Sequence, residues 1–133
     1  MKSFVIRLKE GDELILKIKD FCAENKIDSA WFSGFGAASS VKLAFYNLAK
    51  KEYIRKTYTK PLEIAALSGN LGQMNGKTII HCHGIFSEEN FQTVGGHVDE
   101  LVIAATCEIV LHQLNIKLER KFDKNIGLNL LDI

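Results

Sequence analysis

The sequence predicts an α+β domain: a largely antiparallel β-sheet with one long amphipathic helix packed on it. Three observations carry that prediction. Leu14, Ile15, Ile18, Phe21 and Cys22 repeat at the spacing of one apolar helical face. From Asp28 onward the apolar period changes from helical spacing to two. Asn75-Gly76 separates two β-rich runs and is the strongest short-range hairpin signal in the chain.

Each element follows in order. Phe4-Val5-Ile6-Arg7-Leu8-Lys9 reads as a strand broken by Glu10-Gly11-Asp12. Asp12 is the expected N-cap of the helix, Glu13 favours its dipole, and Asn25 is the expected stop. Val41, Leu43 and Phe45 alternate with Lys42, Ala44 and Tyr46; Tyr53, Arg55 and Thr57 alternate with Ile54, Lys56 and Tyr58. Leu62 to Leu71 and Thr78-Ile79-Ile80 flank the Asn75-Gly76 turn as strands. Leu101 to Leu114 is apolar on both faces; its β-branched content (Val102, Ile103, Thr106, Ile109, Val110) predicts a buried strand. Alternation resumes at Ile116, Leu118, Arg120 and Phe122. One proline, no Ser/Gly linker and no repeat make residues 1–133 read as one domain.

Composition narrows the function classes. In 133 residues, 47% are hydrophobic and 25% charged, the balance of a globular chain able to bury one core. A net charge of +1 gives no global field toward nucleic acid or anionic lipid, so any such role needs a local patch. Cys22, Cys82 and Cys107 are odd in number and far apart, which reads as reduced, buried thiols in a cytoplasmic protein. Charge precedes any long apolar run at the N-terminus, so neither a secretory signal nor a membrane partner is expected.

Three of the four histidines fall between positions 81 and 97. On a strand His81 and His83 project from one face, about 6–7 Å apart along the chain, while Cys82 points to the other face. His97 follows Gly95-Gly96, a pair that lets a backbone turn sharply or pass close to another group. A His-x-His pair with one remote histidine suits a borderline divalent metal such as zinc, with one coordination position open. The same pair also occurs as ordinary surface or hydrogen-bonded histidines, and His112 is read that way. Glu63 and Glu108 are the acids inside strongly apolar strands, where an unpaired carboxylate is costly. Each is expected to pair with a cation or histidine, or to join the site. A Cys82–His dyad is not expected, because neighbours face opposite sides of a strand.

Gly34-Phe35-Gly36-Ala37, Leu62-Glu63-Ile64 leading to Ser68-Gly69-Asn70, His81-x-His83, Gly95-Gly96-His97 and Thr106-x-Glu108 occur in that order. The set resembles the PPC domain (plants and prokaryotes conserved) over nearly the whole chain, in its stand-alone prokaryotic form. The resemblance implies a compact α+β subunit, assembly as a homotrimer, and a metal held near a subunit boundary by the histidines matching His81, His83 and His97. In plants the domain is joined to an AT-hook in nuclear DNA-binding proteins, and stand-alone members are usually assigned a DNA-binding role. An AT-hook needs an Arg-Gly-Arg core, whereas Arg7, Arg55 and Arg120 have no glycine beside them. The assembly module therefore carries over more firmly than the DNA reading.

Two segments remain. Lys50, Lys51, Arg55, Lys56 and Lys60 interleave with Tyr53 and Tyr58, a charge and aromatic pattern suited to phosphates and unpaired bases. It equally describes a solvated edge strand at a hairpin tip, where lysines block aggregation. Gly34 and Gly36 lack a phosphate-loop context and read as a tight passage between strands that lines a ligand pocket or site. The leading expectation is a homotrimeric, non-enzymatic module with a three-histidine metal site at His81, His83 and His97, and with Glu63, Glu108, Gly34, Gly36, Gly95 and Gly96 binding a ligand or supporting the histidines from behind. Its partners are itself and DNA or a DNA-binding protein. The alternatives are a metal-dependent, hydrolase-like enzyme with Glu63 or Glu108 as base, and a small-ligand-binding trimer with no DNA role.

Overall fold

A computed structural model describes residues 1–133. The chain runs β1 (Lys2–Lys9), α1 (Leu14–Glu24), β2 (Ala30–Asn47), β3 (Glu52–Tyr58), β4 (Leu62–Met74), β5 (Lys77–Ser87), β6 (Thr93–Gln113), β7 (Arg120–Asp123) and β8 (Leu128–Leu131). The first six strands form an antiparallel sheet in the order β1-β6-β5-β4-β2-β3. Strand β2 also pairs with β6, so β2, β4, β5 and β6 close into a ring. Closure is possible because β2 and β6 are long enough to pair with different neighbours along their length, and bulges let them bend.

The first such bend uses the predicted glycines. Gly34 and Gly36 lie inside β2 at a register shift against β4, not in a passage between strands. A Cβ on Gly36 would strike the Thr106 carbonyl and stand 2.6 Å from the Cys107 Cα; one on Gly34 would stand 2.5 Å from the Glu108 carbonyl oxygen. Bare backbone is what allows β2 to lie this close to β6 at the crossing.

The core fills the inside of the ring. Phe32, Leu71, Phe86, Leu101, Ile103, Ile109 and Leu111 are buried there, and all three cysteines are free and buried among them. Desolvation pushes the thiols of Cys22 and Cys107 up to about 11 and that of Cys82 to about 12, so they behave as small apolar groups. Helix α1 lays Leu14, Ile18 and Cys22 against this core, and Phe21 meets Phe4 edge-on at 5.3 Å.

Several expectations need correction. The helix has 11 residues, three turns rather than a long helix, because Lys26 takes a left-handed φ of 56° directly after Asn25. Its N-cap is Glu13, whose carboxylate accepts from the Ile15 N–H at 2.8 Å; Asp12 instead accepts from the Lys9 N–H and closes the preceding turn. Val41, Leu43 and Phe45 do alternate with Lys42, Ala44 and Tyr46 along an unbroken β2, but burial does not follow the alternation: Ala44, on the outer face beside Arg55 and His97, is buried, and Phe45 is exposed. Glu63 and Glu108 are exposed and form no ion pair, because they sit on the outer face where water solvates them. The late alternation gives only the short β7, and it pairs with β8 in a second sheet.

Strand β1 and the β4–β5 hairpin stand as expected; β6 is a strand as expected, but it begins at Thr93 and is buried on one face alone, with Ala105, Glu108 and Val110 exposed on the other. Asn75 and Gly76 have φ of 50° and 75°, the left-handed pair of a type I′ turn. No helix is long and apolar enough to cross a membrane.

Candidate metal centre

Register decides which side chains meet. Cα partners share a face of a sheet, and Val5, Val110, Ser33, Ser68, His83 and His97 are successive partners across β1, β6, β2, β4, β5 and back to β6. All six therefore lie on the outside of the ring, opposite Cys82. His81 shares that face two residues earlier, beside Asn70 on β4. Ring closure brings β6 beside β5, and so sets His97 directly across from His83.

The three imidazoles form one cluster. Ring centroids are 5.0 Å apart for His81–His83, 5.4 Å for His81–His97 and 5.6 Å for His83–His97. One nitrogen from each lies within 4.8 Å of the others. The Nε2 atoms of His81 and His83 are 3.2 Å apart. Two ligands on tetrahedral zinc, with Zn–N near 2.05 Å, would stand roughly 3.3 Å apart. A hydrogen bond between the rings explains the same distance, so the third histidine decides. His97 Nε2 lies 3.3 Å from Asp99 Oδ1, whereas its Nδ1 is buried with no partner. A carboxylate that holds Nε2–H leaves the Nδ1 lone pair for a metal, the arrangement found behind most ligating histidines.

The electrostatics favour the neutral form of His81 and His97. Burial pushes His81 down to about 4, helped by Arg120, His83 and His97. Burial also pushes His97 down, against the opposing pull of Asp99. Neutral imidazole is the form that donates to a metal. The donor set fits zinc: three borderline nitrogens and no thiolate.

Gly95 and Gly96 are part of β6, not a corner before it. A Cβ on Gly95 would stand 2.8 Å from the Gly84 carbonyl, and one on Gly96 would stand 2.9 Å from the Ala44 carbonyl. The pair lets β6 squeeze between β5 and β2 immediately before His97. Glu63 lines a separate open cleft with Lys60, Glu88 and Phe91. Glu108 lies opposite Arg7 and Phe35, away from the cluster. Neither acid joins the histidines. His112 pairs with the Ser3 hydroxyl at 2.9 Å.

The basic segment is partly absorbed by this site. It does form a hairpin tip and the edge strand β3. Arg55 binds Asp99 Oδ2 through Nε at 2.8 Å, and Lys60 binds Glu88 at 2.8 Å. Lys51 donates to the Lys124 carbonyl, and Lys56 lies over Tyr58. Lys50, Lys51 and Lys56 keep charges without a carboxylate partner. Tyr53 stacks toward His97 at 5.3 Å and Tyr46 at 5.0 Å instead of standing free for a base.

Asp99 and Arg120 are the residues beside the cluster that the sequence reading missed. Asp99 had a signal: His97-Val98-Asp99 has the same i, i+2 spacing as His81 and His83. Arg120 had none, because it arrives on the β7–β8 hairpin. That hairpin is closed by Asp123, whose Oδ1 accepts from the Asn125 and Ile126 N–H groups, and it is tied to the ring by the Tyr46 hydroxyl, which donates to the Ile126 carbonyl.

Residues 1–115 match the family model of the Plants and Prokaryotes Conserved (PCC) domain. The fold is similar to that of a metal-containing protein from Archaeoglobus fulgidus, with 34% identity, 98% of this chain and 93% of that one covered, and a TM-score of 0.92. A plant- and prokaryote-conserved (PPC) protein from Pyrococcus horikoshii is similar at 28% identity, covering 100% and 92% of the two chains, with a TM-score of 0.92. A protein from Ralstonia eutropha with a proposed DNA-binding role is similar at 31% identity, covering 97% and 90%, with a TM-score of 0.89. No curated protein matches the chain.

Proposed function

The chain belongs to the Plants and Prokaryotes Conserved domain family, and from that premise we propose that it is a cytoplasmic, homotrimeric binding module of one domain, residues 1–133, with a zinc-type metal held by His81, His83 and His97. The observation that carries the metal reading is the buried, unpartnered Nδ1 of His97 beside two imidazoles at ligand spacing. The metal-containing relative from Archaeoglobus fulgidus supports it. Bound zinc would supply a Lewis-acidic centre; Asp99 and Arg55 hold His97 in place, and Gly95 and Gly96 let its strand approach.

Trimer assembly draws support from the outer face. Val5 is 81% exposed, Phe35 58% and Trp31 46%, and with Val110 they form a neighbouring apolar strip across β1, β6 and β2. Such a strip suits subunit contact. DNA-associated regulation rests on the Ralstonia eutropha relative and on three copies of the basic hairpin, each adding modest affinity.

Metal analysis of untagged protein tests the centre. About one zinc per chain is expected, lost in His83→Ala with the far-UV circular dichroism unchanged. Less than about 0.2 metal per chain after zinc loading and desalting, against the tight binding typical of three-histidine sites, would overturn it. Light scattering should give a trimer mass; a monomer at micromolar concentration overturns the assembly.

A further inference from the structure

A second feature lies beside the histidines, in the cleft between the ring and the β7–β8 hairpin. Its volume is about 310 Å³, at the lower end of the size range of small-molecule sites, ~300–1,000 Å³. Ile79, Ile80, Phe122 and Leu130 give it an apolar wall, and His81 and Arg120 give it a polar end.

Arg120 is held rigidly by neutral partners. Nη2 donates to Asn70 Oδ1 at 2.7 Å and Nη1 donates to the Asn129 carbonyl at 2.9 Å. Nε is buried with no partner, and no carboxylate of the chain lies within ion-pair distance of the guanidinium. A partly desolvated cation without a counter-charge is costly, and its cost is recovered when an anion enters. Asp99 cannot serve as that anion, because it is committed to Arg55 and His97.

We propose that this cleft binds a small carboxylate with an apolar body, its carboxylate on Arg120 and its body against Ile79, Ile80, Phe122 and Leu130. The planar guanidinium matches a carboxylate, and each Nη keeps one hydrogen that the bonds to Asn129 and Asn70 do not use, while the buried Nε–H reports on the charge placed beside it. The apolar wall selects a hydrocarbon or aromatic body over inorganic phosphate. The site goes beyond the metal reading and does not depend on it, since Arg120 and the wall belong to the chain whether or not zinc is bound.

Benzoate is the probe, with benzamide as its neutral counterpart and inorganic phosphate as the apolar-free anion. The readout is the ¹H–¹⁵N resonance of the Arg120 Nε–H in the full chain, recorded in zinc-loaded and in chelator-treated protein. Benzoate is expected to shift it saturably with a Kd near or below about 1 mM in both forms, with no saturable effect of benzamide and weaker binding of phosphate. Arg120→Gln keeps a donor for Asn70 and should weaken benzoate about tenfold or more. An unmoved resonance in both forms overturns the proposal. So does benzoate binding only with zinc while the Arg120 resonance stays still, which would place the ligand on the metal. Failure of zinc loading alone leaves the chelator-treated titration as the deciding measurement.

Discussion

Replacing Asp99 by asparagine isolates the contact behind the metal centre. The substitution keeps the shape of the side chain and removes its charge. In the native chain Asp99 Oδ1 faces His97 Nε2 at 3.3 Å while Oδ2 accepts from Arg55 Nε at 2.8 Å. An amide has one oxygen and one NH₂ for these two positions. If the oxygen stays on Arg55, the NH₂ faces His97 and favours a proton on Nδ1, the nitrogen a metal would need. Outer carboxylates of this kind are worth about 10–100-fold in metal affinity. The 3.3 Å contact is longer than a typical N–H···O bond of about 2.9 Å, which places the expected loss near the tenfold end, about 1.4 kcal/mol. The assay is competition for zinc against a chromogenic chelator at neutral pH and fixed salt, with circular dichroism confirming the fold. A zinc affinity for Asp99→Asn that matches the native value would refute the idea that Asp99 orients His97 for a metal.

Acid should destabilise the metal-free protein. His81 titrates at about 4 in the fold against an ordinary 6.5, so between those values the unfolded chain holds more protons. Stability is therefore full above about 6.5 and declines as pH falls toward 4; a Tm that rises over that interval in the metal-free protein, or that falls equally in His81→Phe, contradicts the assignment. Gly36→Ala should lower stability by about 1–3 kcal/mol, because its Cβ meets backbone of Thr106 and Cys107 that cannot move aside. Urea denaturation checks it, and an unchanged midpoint would mean that β2 and β6 do not cross this closely. If the basic hairpin carries duplex DNA binding, that binding should weaken with salt at a slope no steeper than about −2.7 per subunit, since of its five cations Lys50, Lys51 and Lys56 are the ones without carboxylate partners. Binding without any salt dependence would exclude phosphate contact by this hairpin.

Local chemistry made much of the fold legible. The helix announced itself through Leu14, Ile18 and Cys22, and the turn through Asn75-Gly76, a pair that tolerates the left-handed φ it adopts, because both are settled by residues within a few positions of each other. The burial of Ala44 and the exposure of Phe45 were not legible, because they depend on which residues β3 and β6 bring beside Ala44 (Arg55 and His97) and not on the alternation within β2. Glu63 and Glu108 looked costly in apolar strands, yet the outer face of a closed ring is solvated, and only closure tells outside from inside.

The sequence alone determined that His81 and His83 share a face and that Cys82 leaves it, because side chains on an extended chain alternate whatever surrounds them. The same rule, applied at His97, would have placed Asp99 on the face of that histidine. Tertiary structure alone decided that His97 stands across from His83, that Asp99 is shared with Arg55, and that Arg120 reaches Asn70. Those meetings join residues 14 to 50 positions apart, and they exist because β6 pairs with both β5 and β2 and the last hairpin folds back over the seam. Alternation is a property of the backbone of each strand; adjacency between distant strands follows from how the ring closes.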